Sequence, residues 1–172
     1  LFNLFQVLIE KGDEVIIPAP YWVTYPEQVK LSDGVPVFIE TDDSNDFKIT
    51  AEQLKAPITP KTKILLLNSP SNPTGSVYSK EELLAIGEVL KGTDIIIFSD
   101  EMYEKIIYDG KKFVATAEVS ADMYNRTVTI NGLSKAVAMT GWRFGYLATP
   151  DLKLAKALTK LQGQVTSNVN SM

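Results

Sequence analysis

The chain has 172 residues, 45% of them hydrophobic and 22% charged, the profile of one folded globular domain with a buried core. A formal net charge of −4 and the lack of any long Lys/Arg run argue against a nucleic-acid partner or a membrane-surface partner. With no Cys and no His, disulfides, thiolate nucleophiles, Cys-based zinc sites and the commonest general base are excluded, so proton transfer near neutral pH must fall to a tuned Lys, Asp, Glu or Tyr, or to a cofactor.

In chain order, Leu1–Glu10 reads as an amphipathic helix that opens without a cap. It has no basic n-region and no small-residue cleavage site, so it is not read as a signal peptide. Glu14–Pro18 (EVIIP) and Val35–Glu40 (VPVFIE) are short apolar, β-branched strands. Thr50 and Gln53 form a weak capping box ahead of Leu54, and Lys63–Asn68 (KILLLN) is the next strand. A stronger box, Ser79 with Glu82, starts a helix whose Leu83, Ile86 and Leu90 share a face before Gly92 ends it. Asp94–Ser99 (DIIIFS) and Thr127–Ile130 (TVTI) are further strands, and Asp151 caps a last helix striped by Leu154, Leu158 and Leu161. The longest apolar runs, such as Ile64–Leu67, are far too short to span a bilayer.

These strands lack a polar alternate face, which suits a parallel sheet covered on both sides by helices. The expected fold is α/β, a three-layer α/β/α arrangement around a mostly parallel sheet, with right-handed crossovers. Leu1 opens without a cap and the final run from Gln162 to Met172 carries no stop signal, so the chain is expected to be part of a longer protein.

The polar oddities follow the strands. Pro20-Tyr21-Trp22 comes after the first strand, and Asn68 to Gly75 (NSPSNPTG) after KILLLN. Ser99 to Tyr103 (SDEMY) follows IIIF, and Asn131 to Lys135 (NGLSK), with Arg143 beyond, follows TVTI. In a parallel sheet all those carboxyl ends lie on one edge, where ligands bind. Taken singly, NPTG is a turn, Trp22 and Tyr103 are part of a core, and Lys135 is a surface cation. Asp100 and Glu101 make a poor acid–base pair because adjacent strand residues face opposite ways, but a carboxylate ending a buried strand can partner a cation. Lys135 follows a buried strand in a small-residue loop with no acidic neighbour in sequence, and a desolvated Lys there is a nucleophile for carbonyls. Arg143, between Trp142 and Phe144, is a planar fork suited to a phosphate.

The strings APYWVTYPE, NSPSNPTG, SDEMYEKI and NGLSKAVAMTGWRFGY resemble the class I aminotransferases, which are fold-type I pyridoxal-phosphate enzymes, and most resemble the branch holding the bacterial aspartate aminotransferases. The resemblance covers essentially the whole chain, and the order and spacing of the strings agree. It implies pyridoxal 5′-phosphate as cofactor and transfer of an amino group from an amino acid, with aspartate the default, to a 2-oxo acid, with 2-oxoglutarate the default. It implies a Schiff base on Lys135, which then shuttles a proton; Asp100 against the pyridine nitrogen; and Tyr103 and Asn72 on the ring 3′-oxygen. It also implies Trp22 stacked on the ring, Asn72 and Trp22 bordering the substrate, and Ser134 with Arg143 on the phosphate. No metal is implied. The whole protein is expected to be a cytoplasmic homodimer, with residues 1–172 forming part of the large, cofactor-binding domain.

The resemblance places a phosphate-binding turn before Leu1, and a substrate-carboxylate arginine with a small domain after Met172. A partner-subunit tyrosine on the phosphate has no counterpart here. Gly132 stands where some members carry Ser, which removes one phosphate hydroxyl. The rivals are another fold-type I chemistry (a C–S lyase or an aminocyclopropane-carboxylate synthase) and a non-catalytic domain that binds the cofactor or is a structural remnant. A nicotinamide-binding domain is the weakest, since no G-x-G-x-x-G follows a strand.

Overall fold

A computed structural model describes residues 1–169. Among them, strands β1 (Glu14–Pro18), β2 (Val35–Ile39), β3 (Thr62–Asn68), β4 (Ile96–Asp100), β5 (Thr127–Gly132) and β6 (Gly145–Ala148) form one sheet in the order β2-β1-β3-β4-β5-β6. All neighbouring pairs are parallel except β5 with β6.

Alternation along the strands sends side chains into two separate cores. Val15, Ile17, Ile64, Leu66 and Phe98 pack beneath α1 (Phe2–Leu8), α2 (Thr24–Leu31) and α7 (Leu152–Val165). Ile16, Leu65, Leu67 and Ile97 pack beneath α3 (Ala51–Lys55), α4 (Lys80–Leu90) and α5 (Ala121–Arg126). The strands are apolar on both faces because both are covered, which is the three-layer arrangement expected from the sequence. Each fully buried side chain of Leu or Phe size contributes roughly 1.5–3 kcal/mol. Both capping boxes form: Thr50 and Ser79 accept from the backbone of Gln53 and Glu82, whose side chains accept in return. Asp151 accepts from the N–H groups of Lys153 and Leu154 and starts α7, where Leu154 and Leu158 are buried and Leu161 is half-buried.

The ends of α1, β2, β3 and β5 differ from the sequence reading by one or two residues, and three further departures have a visible cause or consequence. The strand read as Asp94–Ser99 runs Ile96–Asp100, because Arg126 Nη1 donates to the carbonyls of Thr93 and Ile95 and so replaces a neighbouring strand there. The final run does contain a stop: Thr166 and Ser167 both donate to Gln162 O, and Ser167 turns left-handed at φ 74°, ending α7 at Val165. The end of that run, residues 170–172, lies outside the described residues. Finally β6 was not read from the sequence, being only GYLA.

The register places the site. Asn68 pairs with Asp100, so β3 and β4 end level and their loops leave side by side, while β5, whose Ile130 pairs with Asp100, runs two residues further to Gly132. The sheet order also reverses at β1, which has β2 on one side and β3 on the other, while α2 and α3 lie on opposite faces. This is the topological switch point at which parallel sheets open a crevice.

Candidate active site

A cleft of about 1100 Å³ opens at that edge, and Trp22, Asn72, Asp100, Tyr103, Ser134, Lys135 and Arg143 all border it. Its floor is the end of β4. Phe98 packs in the core beneath α2, and Asp100, two residues on, stays on the same face. Asp100 is only 6% exposed. Its Oδ2 accepts from the Tyr25 hydroxyl at 2.8 Å and its Oδ1 from the Met102 N–H at 3.2 Å. Burial raises the Asp100 carboxyl above its ordinary range, opposed by those two hydrogen bonds. Burial, and then the Asp100 charge, also push the Tyr25 phenol above its ordinary value. The pair is therefore a buried carboxyl with a neutral phenol donor behind it, the carboxyl bordering the cleft.

Glu101 turns the other way. It accepts from Ser99 Oγ at 2.8 Å and from the Thr116 N–H at 3.1 Å, within the opposite layer. Burial raises its carboxyl as well. The two adjacent acids are thus divided by the sheet, as the alternation of strand side chains requires.

The loop after β3 brings Asn72 to within 3.4 Å of the Tyr103 hydroxyl, to which its Nδ2 donates. Tyr103, half-buried, lies on the turn after Asp100. Trp22 is 39% exposed and meets the Tyr25 ring edge-on at a centroid distance of 5.4 Å. Pro26 sits within the first turn of α2, where its missing N–H costs nothing.

Lys135 lies in α6 (Leu133–Ala136), a single turn between β5 and the antiparallel β6, where the sequence suggested a loop. Its Nζ stands 5.9 Å from the centre of the Tyr103 ring. The expectation of a desolvated Lys135 is not met: the residue is exposed, because its side of the cleft is open. Beyond it the segment is bonded to itself. Thr140 Oγ1 donates to Ser134 O at 2.8 Å, and Arg143 Nη1 donates to Thr140 O at 3.0 Å. Arg143 is exposed and its backbone is left-handed at φ 54°. Gly132 faces Gly145 across the β5–β6 pair, and a Cβ at Gly132 would stand 2.9 Å from the Phe144 carbonyl oxygen. That close approach is a local reason for glycine there.

Sequence reasoning passed over Tyr25 and Asn68. A signal existed for Tyr25: a tyrosine one turn beyond Trp22, on a helix that must be buried, needs a partner for its hydroxyl. Among the described residues no group of His, Cys, Asp and Glu could hold a metal, and no helix is long and apolar enough to cross a membrane.

The donor set fits pyridoxal phosphate. A buried carboxylate can face a protonated ring nitrogen, two neutral donors could meet a ring oxygen, a lysine can bond a carbonyl carbon, and a serine with an arginine can meet a dianion.

Comparison with known proteins gives the same direction. A family model described as "Aminotransferase class I and II" matches residues 1–172. The chain is 56% identical over 172 residues to an aspartate aminotransferase of Geobacillus stearothermophilus, covering 100% of this chain and 44% of that protein. It is 49% identical over 171 residues to an asparagine–oxo-acid transaminase of Streptococcus mutans serotype c, covering 99% and 43%. The crystal structure of an aspartate aminotransferase from Rhizobium meliloti matches with a TM-score of 0.95 at 47% identity, over 99% of this chain and 42% of that one. The chain thus spans less than half the length of these relatives.

Proposed function

The chain belongs to the class I and II aminotransferases, and from that premise we propose that the whole protein is a pyridoxal-phosphate-dependent aminotransferase with Lys135 as its covalent anchor. The observation that carries this is the meeting of Lys135 and the buried Asp100–Tyr25 pair in one cleft. When bound, the cofactor supplies the electron sink that makes a substrate Cα–H acidic.

The protein's own groups orient and move protons around that sink. Asp100, whose carboxyl is raised by burial and lowered in part by the Tyr25 and Met102 hydrogen bonds, would pair with the pyridine N–H. Asn72 and Tyr103 donate to the ring oxygen, and Trp22 covers the ring and borders the substrate with Asn72. Ser134 and Arg143 take the phosphate, for which Arg143 has N–H groups beyond the one given to Thr140. Lys135 would hold the cofactor through its Nζ, and the same nitrogen would carry the proton at the substrate Cα. Aspartate as donor is supported by the relative at 56% identity, whose name specifies aspartate; 2-oxoglutarate as acceptor is the default that the family resemblance implies. The homodimer and the cytoplasmic location implied by the family resemblance belong to the same proposal.

The test is an absorbance spectrum with added pyridoxal phosphate, before and after borohydride, on the wild-type protein and on Lys135→Ala. A reducible band that vanishes in the variant is expected. A wild-type protein without a lysine-dependent band would overturn the assignment, and release of ammonia and pyruvate from the loaded enzyme would replace transamination with lysis.

A further inference from the structure

We infer that Asn68 is a positioning residue, whose carboxamide fixes the spacing between the loop that presents Asn72 and the strand end that presents Asp100. The inference rests on the cofactor reading above. Asn68 ends β3 in register with Asp100, the last residue of β4. Beyond this pair the two chains leave the sheet and diverge. Asn68 Oδ1 accepts from the Asn72 N–H at 2.7 Å, while Nδ2 donates to the carbonyls of Asp100 at 2.9 Å and Pro70 at 3.2 Å. One side chain thus uses both its donors and its acceptor on the two loops.

The circuit closes at the far end. Asn72 Nδ2 reaches the Tyr103 hydroxyl, and the turn carrying Tyr103 is bound back to Asp100 Oδ1 through the Met102 N–H. Besides Asn68, the backbone bond from Ser69 N–H to Asp100 O at 3.2 Å also ties these two chains at their point of divergence. That bond fixes the start of the loop but not the position of Asn72. A carboxamide suits the task because it offers donors and an acceptor together; aspartate would lose both donors and set a negative charge against two carbonyls. Asn68 therefore holds apart, at a set distance, the groups assigned to the ring nitrogen and to the ring oxygen.

The test is a double-mutant cycle on cofactor affinity, read by titrating the unloaded protein with pyridoxal phosphate. Asn68→Ala is expected to raise the dissociation constant on the order of tenfold, and to shift the pH at which the lysine-dependent band titrates. In an Asn72→Ala background the same change is expected to cost less than about threefold, because its effect travels through Asn72. Asn68→Ser, which keeps an acceptor for the turn but is too short to reach the Asp100 carbonyl as well, is expected to fall between, and it carries the cycle if the alanine variant does not fold. A variant that only lowers thermal stability, with affinity and band titration unchanged, overturns the inference. So does an equal effect in both backgrounds. A failure of the cofactor reading itself looks different, since the wild-type protein would then show no lysine-dependent band.

Discussion

At the ends of β3 and β4 the side chains facing the cleft are bonded to one another and rooted in the core. Asp100 is held by Tyr25, itself 2% exposed, and Asn72 is held by Asn68 and meets Tyr103. Between β5 and β6 the opposite holds. Among the described residues Ser134, Thr140 and Arg143 are bonded only within their own segment, and Lys135 and Arg143 are exposed. One flank is set by packing against the rest of the fold, while the other depends on backbone geometry inside a short excursion. The groups assigned to the ring of the cofactor come from the first flank. Those assigned to its covalent bond and its phosphate come from the second, where a long, mobile cation can follow its partner. Preorganisation is thus concentrated where geometry matters most, around a ring that must be held in one plane.

The largest expected effect comes from breaking the packed flank at its centre. Asp100→Asn keeps the shape, and its amide oxygen can still accept from one of the two donors, Tyr25 and Met102, but it cannot hold a ring nitrogen protonated. Turnover is expected to fall about 100- to 1000-fold. The same substitution has a signature in the unloaded protein. Because burial raises the Asp100 carboxyl, the folded protein retains a proton that the unfolded chain has already released. Stability therefore falls as pH rises through the window from the ordinary carboxylate range to the raised value. Thermal midpoints measured across that window are expected to fall less steeply for Asp100→Asn than for wild type, with the remaining slope owed in part to Glu101, which is raised by burial too. Parallel pH profiles would show that Asp100 is not under desolvation stress, and the contrast between the flanks would lose its basis.

How far the sequence could be read follows the same division. The strands and both capping boxes were visible because apolar runs and Ser/Thr-x-x-Glu/Gln spacing report local physics directly. Asp100, Asn72 and Tyr103 could be gathered on one edge because a parallel sheet aligns the carboxyl ends of its strands. Tyr25 and Asn68 escaped notice because their roles lie in contacts to residues distant in sequence or across a strand pair. The exposure of Lys135 escaped for another reason: nothing in NGLSK reports how deep a segment lies, and β6, which folds it back, is too short to announce itself. The sequence shows that position 132 lacks a hydroxyl, but not that a Cβ there would meet the Phe144 carbonyl.

That contact offers a way to test the second flank at its base. In Gly132→Ser the new Cβ would stand 2.9 Å from the Phe144 carbonyl oxygen and 3.0 Å from Met102 Cε. The methionine can swing aside, but the carbonyl sits in the Leu133 N–H to Phe144 O bond that closes the excursion. The substitution is expected to cost about 1–3 kcal/mol of stability, seen as a lower denaturant midpoint. An unchanged midpoint would mean that the β5–β6 pair yields easily, and that the fold leaves this flank looser than its hydrogen bonds suggest.

The smallest effect, and the one most specific to a self-bonded segment, is expected at Ala138. Its φ is 55°, a left-handed conformation that a Cβ disfavours, and the residue is exposed, so it contributes little packing. Ala138→Gly removes the Cβ conflict at the price of a more flexible unfolded chain, and the balance is expected to be a gain of about 0.5–1 kcal/mol. If backbone geometry is what holds Lys135 in place, the gain in denaturant midpoint should come with unchanged affinity for pyridoxal phosphate, since the relaxed residue keeps the same φ. A loss of stability would show that the alanine methyl is held by contacts outside its own segment. The second flank would then be rooted in the fold as firmly as the first.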